Sequence, residues 1–130
     1  YLIMTINKTN LQKRLSKIAF EVTQNAKTEG PFTGKYCNFF EKGIYQCICC
    51  NNDLFDSDKK FTSNSGWPSF SETLDSNSLS YIQDKSYGMI RTEVRCKSCD
   101  AHLGHVFDDG PEPSFKRYCI NSVAINFKKK

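Results

Sequence analysis

The chain has 130 residues, 18 basic against 14 acidic for a net charge of +4, and 7 Cys, 10 Phe, 6 Tyr and 1 Trp. That length fits one domain that buries its own core without disulfide staples. No apolar run approaches the roughly 20 residues of a membrane helix. The opening Tyr1–Ile6 is too short for a signal peptide, and Lys59-Lys60 and Lys128–Lys130 are far from a nucleic-acid stripe, so membrane-embedded and dedicated DNA-binding classes are excluded.

Residues 1–8 are read as a lead-in, disordered or appended. Residues 9–24 predict an amphipathic helix, because Leu11, Leu15, Ile18 and Val22 recur at spacings of 4, 3 and 4 and so share one face, with Thr9-x-x-Gln12 as a capping box. Gly30-Pro31-Phe32-Thr33-Gly34 then breaks regular structure. From Gly43 onward the chain turns to short segments rich in Ile, Val, Tyr, Phe and Thr, at 43–48, 87–95, 101–107 and 117–127, which is strand vocabulary. Polar connectors fill 56–64 and 71–80, a turn falls at 108–111, and 128–130 reads as a basic tail. The expected architecture is a single mainly β, antiparallel domain over residues 1–130 with a short N-terminal helix.

The seven cysteines stand at 37, 47, 49, 50, 96, 99 and 119. An odd count without a secretory signal argues against a closed disulfide framework. Cys47-x-x-Cys50 and Cys96-x-x-Cys99 each let two thiolates reach one ion, and together they complete a tetrahedral zinc site. Cys49 sits inside the first pair, and the x-x spacing favours Cys50 as the ligand. The 45 residues between the pairs exceed the roughly 15–20 of a simple ribbon, so the fold must bring the pairs together. Four thiolates leave no open coordination position, which makes one structural Zn2+ the expected cofactor.

In Arg117-Tyr118-Cys119-Ile120-Asn121 alternation puts Arg117, Cys119 and Asn121 on one strand face. An arginine beside a cysteine stabilises the thiolate; the competing reading is an inert buried cysteine. The only two histidines, His102 and His105, are readable as zinc ligands, as solvated loop residues, or as a proton donor and a binding group oriented by Asp108 or Asp109 and facing Cys119.

Across the chain the motifs resemble those of the B-type methionine sulfoxide reductases, which act on the R epimer of methionine sulfoxide. The matching stretches are Gly30-Pro31-Phe32-Thr33-Gly34-Lys35-Tyr36, Cys47-x-x-Cys50, Ser65-Gly66-Trp67-Pro68-Ser69-Phe70, Arg91-Thr92-Glu93-Val94, Cys96-x-x-Cys99, His102–Pro111 and Arg117–Asn121. The resemblance implies two antiparallel sheets with zinc clamped by the two Cys pairs. It implies Cys119 as nucleophile, attacking the sulfoxide sulfur and ending as a sulfenic acid, with His105 as preferred proton donor and His102 assisting. Arg117 would support the thiolate, Asn121 and Asp109 would hold substrate, water and imidazole, and Trp67 and Phe107 would bind substrate. The implied partners are methionine-R-sulfoxide in proteins or peptides and, as reductant, thioredoxin or the glutathione/glutaredoxin system. No nucleic-acid or membrane partner is expected, and the protein is expected to be a monomer. Zinc thiolates and unpaired Cys fit the reducing cytoplasm, or an organelle if a targeting segment has been removed.

Many relatives carry a resolving cysteine just before Gly-Trp-Pro-Ser-Phe, where this chain has Ser65, and a hydroxyl cannot condense with a sulfenic acid. Cys37 is the candidate resolving thiol, Cys49 a weaker one, and direct reduction by an external thiol the third route. The alternative function is a zinc-bound β domain that binds ligands or proteins without catalysis; Trp67, His102, His105, Arg117 and Cys119 together argue against it.

Overall fold

The structure, a computed structural model, describes residues 8–130, with side chains from residue 9. The lead-in expected over 1–8 lies outside the described residues, except that Lys8 already belongs to helix α1 (Lys8–Arg14). Two helices replace the single one expected over 9–24, the second being α2 (Lys17–Asn25). The break is Ser16, whose backbone is extended and whose hydroxyl accepts from the Ala19 N–H at 3.2 Å. A serine that caps a new helix competes with continuing the old one. The break resets the helical phase: Leu11, Leu15 and Val22 are buried as expected, but Ile18 is 45% exposed and Ala19 and Thr23 face inward instead. Thr9 lies within α1, so the expected capping box does not start the helix.

Nine strands follow: β1 (Gly43–Cys47), β2 (Asp53–Asp56), β3 (Lys60–Phe61), β4 (Ser69–Phe70), β5 (Leu79–Asp84), β6 (Arg91–Cys96), β7 (His102–Phe107), β8 (Arg117–Ile120) and β9 (Ile125–Lys129). They form two antiparallel sheets, one ordered β2-β1-β9 and the other β3-β4-β8-β7-β6-β5. The stretch read as one strand over 117–127 is two strands in different sheets, joined at Asn121 and a 3-10 turn over Ser122–Ala124. The expected strand over 87–95 starts later, at Arg91, after a turn at Ser86–Gly88. Residues 128–130 are no tail: Lys128 and Lys129 pair with Ile44 and Gly43 in the sheet.

The two sheets pack through aromatic side chains. Phe55 of β2 stacks on Phe70 of β4 with centroids 4.3 Å apart, and Tyr45 of β1 meets the same ring edge-on at 5.1 Å. Tyr45, Leu54, Phe55, Phe70, Val94, Leu103, Ile120 and Ile125 make a fully enclosed core, each side chain worth about 1.5–3 kcal/mol of burial. Helix α2 packs against β7 and the turn at 122–124. Arg14 of α1 donates to the carbonyls of Ile48 and Cys49 at 3.0 and 2.9 Å, which ties α1 to the first Cys pair.

Candidate active site and metal centre

Register on the larger sheet assembles the chemistry. Glu93 of β6 lies opposite His105 of β7, His105 opposite Cys119 of β8, and Cys119 opposite Ser69 of β4. Paired residues share a sheet face, so this row points to one side while Val94 and Ile120, one position along, enter the core. Phe107 opposite Arg117 extends the same face. Gly104 allows the strands to close behind the thiol, since a Cβ there would lie 2.0 Å from the Cys119 carbonyl oxygen.

A cavity of about 260 Å³ opens above Cys119 and is walled by Trp67, Ser65, His105, Phe107, Arg117 and Asn121, with Thr28 and Arg91 at its edge. Six of the residues singled out in the sequence thus converge: Cys119, His105, Arg117, Asn121, Trp67 and Phe107. His102 is not in this wall. It borders an adjoining hollow with Asp84, Arg91, Glu93 and His105, its ring centroid 5.7 Å from that of His105. Asp109 acts on Arg117, which donates to it from Nε at 2.8 Å and from Nη2 at 3.2 Å while the guanidinium lies 4.5 Å over the Phe107 ring. Asp108 pairs with Lys116. Neither aspartate contacts an imidazole; the carboxylates that do are Glu93, 2.7 Å from His102 Nδ1, and Asp84, 2.8 Å from His105 Nε2. Asn121 spends its amide on the scaffold: Nδ2 donates to the Leu103 carbonyl at 3.0 Å and Oδ1 accepts from the Glu29 N–H at 3.0 Å.

Cys37 is absent from the cavity wall. Its carbonyl accepts from Lys60 Nζ at 3.3 Å. Lys60 pairs with Phe70, and Phe70 with Tyr118, the pleat face opposite to Cys119. Ser65 does reach the thiol, Oγ to Sγ 3.9 Å.

Burial pushes the Cys119 thiol above its ordinary range; the Ser65 hydroxyl and the Arg117 charge pull it back only in part, and the buried Glu29 adds to the rise. Arg117 thus stabilises the thiolate as expected, but desolvation, which penalises the charged form, outweighs it. Burial likewise lowers His102, against the pull of Glu93, so the ring is neutral at pH 7. Its Nε2 is buried and meets no hydrogen-bond partner among the described residues.

Sequence reasoning missed Asp84, Glu93 and Glu29. Asp84 leaves a faint trace as Asp-x-Ser before Tyr87-Gly88, an Asx-turn pattern that the structure forms through Ser86 N–H to Oδ1 at 2.9 Å. Glu93 is a lone acid in a strand, given meaning only by its register with His105. Glu29 is 3% exposed and ties three segments together. Its carbonyl accepts from Trp67 Nε1 at 3.1 Å, its N–H binds Asn121, and Oε1 accepts from the Val123 N–H at 3.0 Å. Burial raises its carboxyl above the ordinary value.

The four predicted ligands Cys47, Cys50, Cys96 and Cys99 come together with all Sγ atoms within 4.8 Å of one another. Cys47–Cys99 and Cys50–Cys96 are 3.6 and 3.5 Å apart. A tetrahedron of Zn–S bonds near 2.3 Å demands sulfurs about 3.8 Å apart, so the cluster has the right size for zinc. The two pairs are built alike. Asn51 and Asp100, each following the second Cys, take left-handed φ of 63° and 65° and donate their N–H to Cys47 and Cys96 carbonyls at 2.8 and 2.7 Å. Asn and Asp are the non-glycine residues that best tolerate that region. Cys49 stands outside the cluster, its Sγ accepting from Gln24 Nε2 at 3.5 Å.

Residues 15–129 match the SelR domain. The chain is 54% identical over 123 residues to a protein of Thioalkalivibrio sulfidiphilus named peptide methionine sulfoxide reductase MsrB, covering 95% of this chain and 90% of that protein. It is 49% identical over 136 residues to methionine-R-sulfoxide reductase B1 of Drosophila melanogaster, covering 95% of this chain and 65% of the fly protein.

Proposed function

Because the chain belongs to the SelR-domain family of B-type methionine sulfoxide reductases, we propose that the cavity over Cys119 is where it carries out the family's reaction. The protein reduces methionine-R-sulfoxide to methionine and so repairs oxidised methionine. The observation that carries the site assignment is the cross-strand pairing of Cys119 with His105 at the base of a cavity walled by Trp67 and Phe107.

In this reading Cys119 sulfur bonds to the sulfoxide sulfur, and the sulfoxide sulfur–oxygen bond breaks as its oxygen passes to the Cys119 sulfur. The transient sulfur–sulfur bond breaks with its electron pair going to methionine, which leaves a Cys119 sulfenic acid. The thiol proton ends on that oxygen, so thiol plus sulfoxide gives sulfenic acid plus thioether with no net proton uptake. His105 carries the proton; a positioned acid–base group contributes roughly 10²–10⁴-fold. His102, neutral and with Nε2 unpartnered, offers an acceptor to a substrate N–H or a water. Arg117, braced by Asp109, faces the sulfoxide oxygen and the Cys119 sulfur. The Trp67 face and the Phe107 ring receive the S-methyl group and set the choice of epimer by shape. Asn121 holds the floor of the site in place.

Zinc, held by Cys47, Cys50, Cys96 and Cys99, supplies structure, since four thiolates leave no position for substrate. The sulfenic acid is cleared by an external thiol, thioredoxin or glutathione/glutaredoxin. The position of Cys37 behind the sheet favours this over an internal disulfide. The working unit is the single domain matched over residues 15–129, acting as a monomer in the cytoplasm or in an organelle. None of the described helices is long and apolar enough to cross a membrane. Convergence of a thiol, an imidazole and a guanidinium on one cavity favours catalysis over the binding-module alternative.

Turnover of separated R and S epimers of a blocked methionine sulfoxide, with dithiothreitol as reductant, tests the reading. R-only reduction that disappears in Cys119→Ser is expected. Turnover that survives in Cys119→Ser would remove Cys119 as nucleophile. Peptide mapping after one equivalent of substrate reads the second step: a Cys37–Cys119 disulfide would overturn the external-thiol route.

A further inference from the structure

The histidine opposite the nucleophile is gripped by a carboxylate from the far edge of the sheet. Asp84 ends β5, and its side chain reaches past β6 to β7. Its two oxygens have separate tasks. Oδ1 accepts from the Ser86 N–H at 2.9 Å and so shapes the turn. Oδ2 sits 2.8 Å from His105 Nε2 and 3.1 Å from Arg91 Nη2, with Arg91 itself at the cavity wall.

We propose that Asp84 is a positioning residue of the reductase, which holds the His105 proton on Nε2 and so presents bare Nδ1 to the reacting atoms. The inference rests on Cys119 and His105 having the roles given above. The Ser86 N–H, His105 and Arg91 together hold Asp84 well below the usual carboxylate range. An ionised carboxylate only accepts, so its ring partner must donate, and Nε2 carries the proton. In the neutral ring Nδ1 is then the base. It takes the proton from Cys119 Sγ as sulfur bonds to the sulfoxide sulfur, and the imidazolium returns that proton to the sulfoxide oxygen. The burial that keeps Cys119 protonated makes such a carrier necessary, because the resting nucleophile is a thiol. The logic is that of the orienting aspartate in a serine-protease triad, on an unrelated sheet and with sulfur chemistry. Charged and titratable groups facing the pair are Arg91 and Glu93 from β6, His102 from β7, Lys27 and Tyr87 from the loops around the hollow, and Cys119 and Arg117 from β8.

Asp84→Asn separates the two tasks. The amide retains an oxygen for the Ser86 N–H but turns a donor toward Nε2, which forces the ring proton onto Nδ1 and removes the base. Two readouts follow, on the full chain with zinc bound. Long-range ¹H–¹⁵N spectra of the unsubstituted protein, which has only two histidines, are expected to show the Nε2–H tautomer for His105 and the Nδ1–H tautomer in Asp84→Asn. Single-turnover formation of methionine from the R epimer is expected to slow by about 10²-fold or more in Asp84→Asn, with KM for the R epimer within about threefold of the parent. An Nδ1–H tautomer in the unsubstituted protein overturns the inference whether or not the variant folds. Parental single-turnover rates in Asp84→Asn, with Cys119→Ser inactive, overturn it and leave the reading of Cys119 intact; an active Cys119→Ser removes both.

Discussion

At the scale of single residues, the chemistry of Cys119 is a balance between desolvation and two nearby polar groups. Burial wins, and the thiol titrates above its ordinary value near 9.0. Its alkylation by iodoacetamide is therefore expected to keep rising through pH 9, and Arg117→Met to displace the profile further upward. At pH 7.5 that substitution slows alkylation, tenfold for each unit of displacement; a profile moved downward would show that Arg117 does not act on the sulfur. Ser65 is the second lever. Its oxygen is 3.9 Å from Cys119 Sγ, so Ser65→Cys places a second thiol beside the sulfenic acid. One equivalent of the R epimer is expected to leave a disulfide between the introduced thiol and Cys119, seen as loss of both thiols on mapping. A free thiol at position 65 beside a sulfenic acid on Cys119 would show that the loop holds position 65 too rigidly to close a bond of about 2.05 Å.

At the scale of elements, the decisive segment is the passage from β8 through Asn121 and the turn at 122–124 into β9. It carries the chain from one sheet to the other two residues after Cys119, and Glu29 fastens it. The Glu29 carboxyl is raised by burial, so the fold favours its protonated form. The sign follows: that contribution is present below the ordinary carboxyl pKa and is lost as pH rises through the raised one. Glu29→Gln keeps an acceptor for the Val123 N–H without a charge. It is expected to match or exceed the parent in urea unfolding at pH 8, with a smaller difference at pH 5. Glu29→Ala leaves that N–H unpaired and costs about 1–3 kcal/mol; equal losses in the two variants would exclude the electrostatic account. The same segment marks where the sequence stops being legible. The strand vocabulary of 117–127 holds for Arg117–Ile120 and from Ile125 onward, but nothing local says that Asn121 and the turn at 122–124 divide it between different sheets. β2 and β5 are sheet-edge strands that the sequence reading leaves unassigned, apart from Asp56 and Leu79-Ser80, which fall within the polar connectors. The Cys pairs were legible because thiolate type and spacing fix their chemistry, whereas Cys119, His105, Arg117 and Trp67 stood out through their place in motifs that resemble the B-type reductases. Asp84, Glu93 and Glu29 were not, because ordinary carboxylates acquire their roles only through register and burial.

At the scale of the whole molecule, the cluster of four cysteines suited to a metal joins the two sheets. Cys47 ends β1 of the smaller sheet and Cys96 ends β6 of the larger. Structural zinc sites supply about 10–16 kcal/mol of apparent binding free energy, as much as the whole stability of a typical domain, about 5–15 kcal/mol. Removing the ion under mild denaturant with a strong chelator is expected to lower the melting temperature by at least about 10 °C, and Cys96→Ser to do the same without a chelator. An unchanged melting temperature in zinc-depleted protein would mean that the aromatic core alone holds the sheets together. The cavity has its own fixed point in Trp67, whose indole N–H is anchored to Glu29 while its ring forms part of the wall. It is the only tryptophan in the chain. All indole emission from this chain therefore arises in the wall of the cavity proposed to receive the substrate, beside the proposed nucleophile Cys119, and a fluorimeter is expected to follow both halves of the proposed cycle with no label attached.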